Sequence, residues 1–213
     1  MISAISHLSR LARAGFVFAR EGVLSLIDPT QVPVPAHTAL SLARLFERRG
    51  VAGQAQRLPA ALTQLGPTYV KLGQFLATRP DIVGAGVARD LEALQDKMPP
   101  FPQAQAEAIV AHSLGRPLSE VYSSFGPPVA AASIAQVHKC EISTENGPKS
   151  VAVKVLRPDV ERRFRLDLEA FTYAAARAEA MSAEARRLRF IETVATLRRS
   201  VALEMDLRLE AAA

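Results

Sequence analysis

Apolar residues recur every three or four positions through the first hundred residues, which predicts a mostly helical region. Breaks at residues 28–35 and 50–53 interrupt the pattern, because proline and glycine end helices. The proline-rich run at residues 98–102 closes this region and favours an extended linker. Short helical segments are then predicted at residues 103–113 and 118–123.

The pattern changes at the glycine and prolines of residues 126–128. Apolar and polar positions alternate imperfectly over residues 132–142, and a strong turn signal follows at residues 145–148. The β-branched run at residues 150–156 predicts a buried strand. We therefore expect a small antiparallel sheet of three strands at about residues 129–156, followed by helix to the end of the chain. The predicted fold class is α+β.

The first helical segment has an apolar face, and its basic residues lie largely off that face. Three interpretations are open: a surface helix packed on the body of the protein, a helix lying on an anionic membrane, or a mitochondrial presequence, since no acid precedes Glu21. The apolar face comprises Ile2, Ile5, Leu8, Ala12, Phe16, Ala19, Val23 and Leu26, and the residues off it are His7, Arg10, Arg13 and Arg20.

The net charge of +5 arises from arginine, since the chain has only five lysines. Such an excess suits nucleic acid, phospholipid headgroups or a nucleotide, although the codon preference of a GC-rich genome explains it equally well. No basic run alternates with aromatic residues, so we expect no nucleic-acid partner. The single cysteine, Cys140, excludes an internal disulfide and is expected to be a packing residue, and the four scattered histidines predict no metal site.

An alanine-rich stretch precedes the strand that contains Lys154. Ala130, Ala132 and Ala135 occupy the glycine positions of the kinase loop G-x-G-x-x-G-x-V, and Val137 occupies its valine position. Lys154, at the end of the run V-A-V-K, would hold the α- and β-phosphates of a nucleotide. Each alanine Cβ disfavours positive φ by about 1–2 kcal/mol, so an ordinary protein kinase would not use this loop. An alanine-rich turn without a ligand is the alternative.

Two further polar groups lie on predicted helices. Lys71 and Gln74 share one face with Thr78, and Gly73 beside them indicates close helix packing, although the pattern alone favours a solvated helix face for the polar residues. Near the end of the chain, Glu210 would lie one helical turn beyond Asp206. A kinase needs a helix-borne glutamate that pairs with its strand lysine.

Together these residues resemble the UbiB-like family of atypical kinases, also called the ADCK family. The residues Lys71-Leu72-Gly73-Gln74 match its K-x-G-Q signature, within a longer match from L-G-P-T-Y-V to T-R-P-D. Residues 130–133 match its alanine-rich loop, and Glu204-Met205-Asp206 matches its E-x-D signature. The resemblance covers about residues 55–213.

The resemblance implies a kinase-like N-lobe whose nucleotide site is covered by the K-x-G-Q helices. ATP with Mg²⁺ would be the cofactor, and the intact protein would be an atypical kinase or ATPase of the transferase class that supports ubiquinone (coenzyme Q) biosynthesis. The implied nucleotide-binding residues are Ala130, Ala131, Ala132, Ser133, Lys154 and Glu210, with Glu210 pairing with Lys154. Lys71 and Gln74 would line the site from above, with Glu204 and Asp206 as charge partners of Lys71.

The resemblance also divides the chain into three parts. These are an amphipathic helical segment at residues 1–54, the K-x-G-Q region at residues 55–125, and a truncated kinase-like N-lobe at residues 126–213. The sequence ends before the catalytic aspartate, the metal-binding asparagine and the D-F-G aspartate of kinases, so we expect this chain to be inactive alone.

The expected location is a membrane, at the cytoplasmic face of a bacterial inner membrane or on the mitochondrial matrix side. Anionic lipid, ubiquinone-biosynthesis proteins and lipid intermediates are the expected partners besides the nucleotide. The alternative function is a non-enzymatic helical module that binds a membrane or a partner protein. A conventional protein kinase is disfavoured by the alanine loop and the covering helices.

Overall fold

The computed structural model describes residues 2–26, 41–42, 45–48, 53–94 and 98–208. The chain divides into two compact units. The first comprises Met1–Gln95 with Arg163–Val201, and the second comprises Asp96–Arg162 with Ala202–Ala213. The three-part division made from the sequence stays a prediction. The break predicted at residues 28–35 lies outside the described residues, as do residues 50–52 of the break predicted at residues 50–53.

Helices dominate the described residues, and three strands form one small sheet, which confirms the predicted α+β class with a kinase-like N-lobe. Short 3₁₀ helices lie at Leu24–Leu26 and Leu118–Glu120. The elements are, in chain order, α1 Ile2–Arg20, α2 Gln54–Leu65, α3 Pro67–Ala77, α4 Pro80–Val83, α5 Ala85–Glu92, α6 Gln103–Leu114, β1 Ser124–Ala131, β2 Ala135–Thr144, β3 Gly147–Leu156, α7 Val160–Met181, α8 Ala183–Leu188 and α9 Phe190–Met205.

Helix α3 carries the K-x-G-Q signature, and its ends match the sequence prediction. Pro67 occupies the first turn, where a missing backbone N–H costs nothing. At the other end, the Thr78 hydroxyl donates to the carbonyl oxygen of Phe75 at 2.7 Å, and Pro80 begins α4. The proline-bounded segment therefore forms one helix of three turns.

Close packing of α2, α3 and α5 depends on Gly73. A Cβ atom added to Gly73 would lie 2.7 Å from Cδ1 of Leu62 in α2 and would also collide with the side chain of Leu94, which follows α5; Leu91 of α5 would lie at 3.4 Å. Contacts as short as the first two do not occur between real side chains. The close approach predicted from the sequence is therefore confirmed, because only glycine leaves space for both leucines.

Helix α1 packs on the rest of the first unit through the side that carries His7 and Arg10. Arg10 donates to Asp167 of α7 at 2.6 Å, and the ring of His7 stacks on Tyr173 at a centroid distance of 5.8 Å. Ala14 and Val17 are buried on this side. Helix α1 thus packs on the body of the protein, as the first of the three interpretations expects, but not mainly through the predicted apolar face. Three members of that face remain largely exposed: Ile5 by 78%, Leu8 by 53% and Phe16 by 50%.

The sheet of the second unit is antiparallel in the order β1-β2-β3. The strands β2 and β3 meet in a tight hairpin at the predicted turn, where the Thr144 hydroxyl donates to the carbonyl oxygen of Gly147 at 2.7 Å. One face packs on α6 through a buried cluster of Ala106, Val110 and Val155. The described sheet is thus the three-stranded sheet that the sequence predicts.

Strand β1 begins at Ser124, earlier than the predicted start near residue 129, and contains both Pro127 and Pro128. An edge strand tolerates proline, because one side of its backbone has no partner strand. The register shifts on both sides of Pro128. The helical segment predicted at residues 118–123 is only a 3₁₀ turn, since the Ser123 N–H already bonds to Glu141 at 2.8 Å.

Tyr69 of α3 is buried and packs edge-on against Phe171 of α7, with ring centroids 5.0 Å apart. Burial raises the pKa of Tyr69 to about 12. The negative charge of Asp167 adds to this rise, while Arg13 and Arg10 oppose it. The folded state therefore favours the neutral phenol.

Replacing Gly73 by valine should reduce the free energy of unfolding by about 1–3 kcal/mol, because the side chain overpacks the space between Leu62 and Leu94. Urea unfolding followed by circular dichroism measures the change. Gly86→Val is the matched control, since no atom lies within 4 Å of a Cβ added at Gly86. Equal stabilities of the two variants would contradict the packing role of Gly73.

Alkaline unfolding should depend on Tyr69. The unfolded chain ionises this phenol near pH 10, roughly the usual tyrosine value, whereas its pKa in the folded chain is about 12. The free energy of unfolding therefore falls as the pH rises from 10 to 12, by about 3 kcal/mol at most.

Tyr69→Phe should remove this contribution and raise the pH at which the chain unfolds in base. Circular dichroism during alkaline titration provides the measurement, and Tyr173→Phe is the control because it leaves the Tyr69 phenol in place. An unchanged unfolding pH in Tyr69→Phe would contradict the prediction.

Candidate functional site

A cavity of about 640 Å³ lies within the second unit, between the alanine-rich loop, β2 and β3. Among the described residues that line it, Lys154 alone is charged, and the others are apolar. This composition suits a ligand with an apolar part and an anionic part. The lining residues are Met98, Pro100, Pro128, Val129, Ala130, Ala131, Ala132, Ala135, Val137 and Lys154.

The strand register determines which side chains reach the cavity. Val137 of β2 lies opposite Lys154 of β3, so both point to the same side of the sheet, together with Ala135. The next residues along, Gln136 and Val155, also face each other and point to the opposite side. One side of the hairpin therefore lines the cavity, while the other contacts α6.

The alanine-rich loop forms a tight turn at the end of β1. The Ala132 N–H donates to the carbonyl oxygen of Ala135 at 2.8 Å, and Ser133 inside the turn is fully buried. Arg157 secures the turn from outside, since its Nε donates to the carbonyl oxygen of Ala132 at 2.9 Å. The structure thus brings the three predicted alanines and Lys154 to one cavity, with Ser133 buried beside them.

Part of the cavity wall comes from a segment that the sequence predicts only as a linker. Met98 and Pro100 line the cavity, and the Met98 N–H donates to the carbonyl oxygen of Ala131 at 3.3 Å. Gln136 and Arg157, to which the sequence assigned no role, also bond to this segment. The available signal was the run of apolar residues and prolines at residues 98–102.

The K-x-G-Q residues belong to the first unit. Lys71 and Gln74 are half-buried on α3. Glu204 and Asp206 belong to the second unit, so the proposed pairing of Lys71 with them stays a prediction.

Helix α9 ends at Met205, so a break at Asp206 interrupts the continuous helix that the sequence predicts here. The Arg208 guanidinium donates two hydrogen bonds to the Asp206 carboxylate at 2.8 Å, and these hold the pKa of Asp206 below its usual range. Glu210 lies outside the described residues, and its pairing with Lys154 stays a prediction.

Cys140 is fully buried on β2, which confirms its predicted packing role. Across the residues that the structure describes, no group of three or more His, Cys, Asp or Glu side chains could hold a metal ion.

Comparison with known proteins agrees with this architecture. Residues 93–213, more than half of the chain, match the family described as the ABC1 atypical kinase-like domain. The chain therefore belongs to the ABC1 atypical kinase-like family.

The chain is also similar to bacterial proteins described as "Probable protein kinase UbiB". It is 40% identical over 211 residues to the protein from Marinobacter nauticus, covering 98% of this chain and 38% of that protein. The protein from Xanthomonas euvesicatoria is 40% identical over 95% of this chain and 37% of its own length. The protein from Azotobacter vinelandii is 41% identical over 170 residues, or 79% of this chain and 31% of its own length. The chain thus spans less than two fifths of the relatives that it matches.

Proposed function

We propose that this chain is the amino-terminal, nucleotide-binding part of a UbiB-like atypical kinase or ATPase that supports ubiquinone biosynthesis. ATP would occupy the cavity of the second unit. The intact protein would act together with ubiquinone-biosynthesis proteins or lipid intermediates.

The observation that carries this proposal is Lys154 in an otherwise apolar cavity beneath the alanine-rich loop. An ammonium group on a flexible stem suits the α- and β-phosphates, and apolar side chains such as Val129 and Val137 suit a base and a ribose. Mg²⁺ is proposed only as the ion that accompanies ATP, and no ligand for it is assigned among the described residues.

Lys154→Ala should weaken the binding of MgATP about 10- to 100-fold, because a charge-assisted hydrogen bond contributes about 1.5–3 kcal/mol. Isothermal titration calorimetry of the 213-residue chain measures this change. Lys149→Ala is the matched control, since Lys149 lies on the same strand, is exposed and is not among the residues that line the cavity.

Equal affinities of Lys154→Ala and the unaltered chain would contradict the role of Lys154. Complete absence of MgATP binding by the unaltered chain would contradict the proposed function of this part of the protein.

Membrane association is a second candidate function, and the exposed apolar side of α1 favours it. Ile5, Leu8 and Phe16 are exposed by half or more of their surface, and Arg13 beside them is exposed. Apolar side chains flanked by basic residues are typical of helices that lie in a membrane interface. Within the described ranges, no helix is long and apolar enough to cross a membrane.

We propose the cytoplasmic face of a bacterial inner membrane as the location, and a non-enzymatic binding module as the alternative to an ATPase.

The double variant Ile5→Ser, Phe16→Ser should lose sedimentation with vesicles containing anionic phospholipid, because it removes apolar surface that would enter the lipid. Salt should reverse binding of the unaltered chain, since it screens the arginine charges. Met181→Ser is the control, because Met181 is an apolar residue on another helix, α7, and is exposed about as much as Ile5. Equal loss in both variants, or no binding at low salt, would contradict the proposal.

A further inference from the structure

We propose that residues 98–101, termed the linker wall, form a preorganised contact surface for the base and ribose of the nucleotide. Gln136 and Arg157 are the positioning residues that hold this wall in place. The inference rests on the proposed function, because it names the part of the ligand that this side of the cavity contacts.

The linker wall has few hydrogen-bond donors of its own, and all of them are used. Residues 99, 100 and 102 are prolines, so Met98 and Phe101 carry the only backbone N–H groups of residues 98–102. The Met98 N–H donates to Ala131 at 3.3 Å, and the Phe101 N–H donates to Oε1 of Gln136 at 2.9 Å. Restricted proline backbones and satisfied donors give this segment a defined conformation.

Gln136 pairs with both backbone groups of Phe101. Besides accepting from the Phe101 N–H, its Nε2 donates to the carbonyl oxygen of Phe101 at 3.3 Å. Gln136 is fully buried, and its strand position points away from the cavity, on the same side as Val155. It therefore acts on a bound nucleotide through the linker wall and not by direct contact.

His138 determines the orientation of the Gln136 amide. Its Nδ1 lies 2.8 Å from the carbonyl oxygen of Gly126, which can only accept, so Nδ1 carries the proton. In the neutral ring, Nε2 then accepts from Nε2 of Gln136 at 2.9 Å. The amide nitrogen of Gln136 must face His138, and its oxygen is left to receive the Phe101 N–H.

Arg157 connects the linker wall to the alanine-rich loop. Its Nε donates to the carbonyl oxygen of Ala132 at 2.9 Å, and its Nη2 donates to the carbonyl oxygen of Pro99 at 3.0 Å. The guanidinium also lies 5.8 Å from the centroid of the Phe101 ring. Because the guanidinium is planar and rigid, one side chain sets the separation of two parts of the cavity lining.

The linker wall presents Met98 and Pro100 to the cavity. Neither side chain can bond to a phosphate, whereas both can pack against a ring or a sugar. A wall that is ordered before binding lowers the conformational cost of binding. Loss of the hydrogen bonds that Gln136 and Arg157 make to the linker wall should therefore weaken the binding of ATP. It should not weaken the binding of a phosphate chain that has no base.

The test compares Gln136→Ala and Arg157→Ala with the unaltered 213-residue chain. Calorimetry measures the affinities for MgATP and for magnesium tripolyphosphate, and hydrogen exchange of the Met98 and Phe101 amides is followed without nucleotide. We expect faster exchange of the Phe101 amide, while the β2–β3 amides remain protected. The affinity for MgATP should fall about 5- to 10-fold, which corresponds to a loss of about 1 kcal/mol of binding free energy. The affinity for tripolyphosphate should remain unchanged in Gln136→Ala, whereas Lys154→Ala should weaken the binding of both ligands.

Arg157→Lys keeps the positive charge and should recover part of the MgATP affinity that Arg157→Ala loses. Arg162→Ala is the matched control, because Arg162 is an exposed arginine of the same unit. If Gln136→Ala does not fold, the two Arg157 variants decide the question.

Unchanged exchange at Phe101 in both alanine variants would overturn the anchoring roles. Faster exchange with unchanged MgATP affinity, or equal losses for MgATP and tripolyphosphate, would overturn the contact with base and ribose. If the unaltered chain binds no MgATP, the proposed function fails together with the ligand named here, and the exchange data still show separately whether the linker wall is anchored.

Discussion

The antiparallel pairing of β2 with β3 is the constraint on which the second unit depends. Successive strand residues point to opposite sides, so the register that places Val137 opposite Lys154 also places Gln136 opposite Val155. A slip of one residue in β3 would turn Lys154 towards α6 and Val155 into the cavity. The tight hairpin at Thr144 and Gly147 holds the register, and the cavity and the contact with α6 both follow from it.

In each unit, residues that bury little apolar surface decide how the helices and strands pack together. Gly73 lets α3 approach α2 and α5, which a larger residue would prevent. Gln136 and His138 are fully buried polar residues, yet they bond to each other and to the backbone at Phe101 and Gly126. Buried polar groups without partners cost about 1–3 kcal/mol each, so satisfied groups of this kind favour one arrangement of linker and sheet.

Much of the fold could be predicted from local patterns. Prolines and glycines marked the ends of α3 and the β2–β3 turn, because these residues restrict the backbone wherever they occur. The alanine loop and Lys154 were found through motif spacing. Local pattern was insufficient in other places, such as the 3₁₀ turn at Leu118–Glu120, which was predicted as a longer helical segment. The two prolines of β1 suggested a break, but they lie on an edge strand, and α1 packs through Arg10 because Asp167 of α7 supplies an opposite charge.

The sequence by itself determined most of the helical segments, the position of the hairpin turn, and the lysine that carries the candidate chemistry, because backbone restriction and residue spacing act over a few neighbouring residues. Only the tertiary structure decided which side of α1 is buried and that residues 98–101 line the cavity. It also decided that Gln136 and Arg157 hold those residues, through hydrogen bonds that span 35 and 58 positions of the chain. Contacts between residues so far apart leave no periodic signal, since they depend on how separate elements pack.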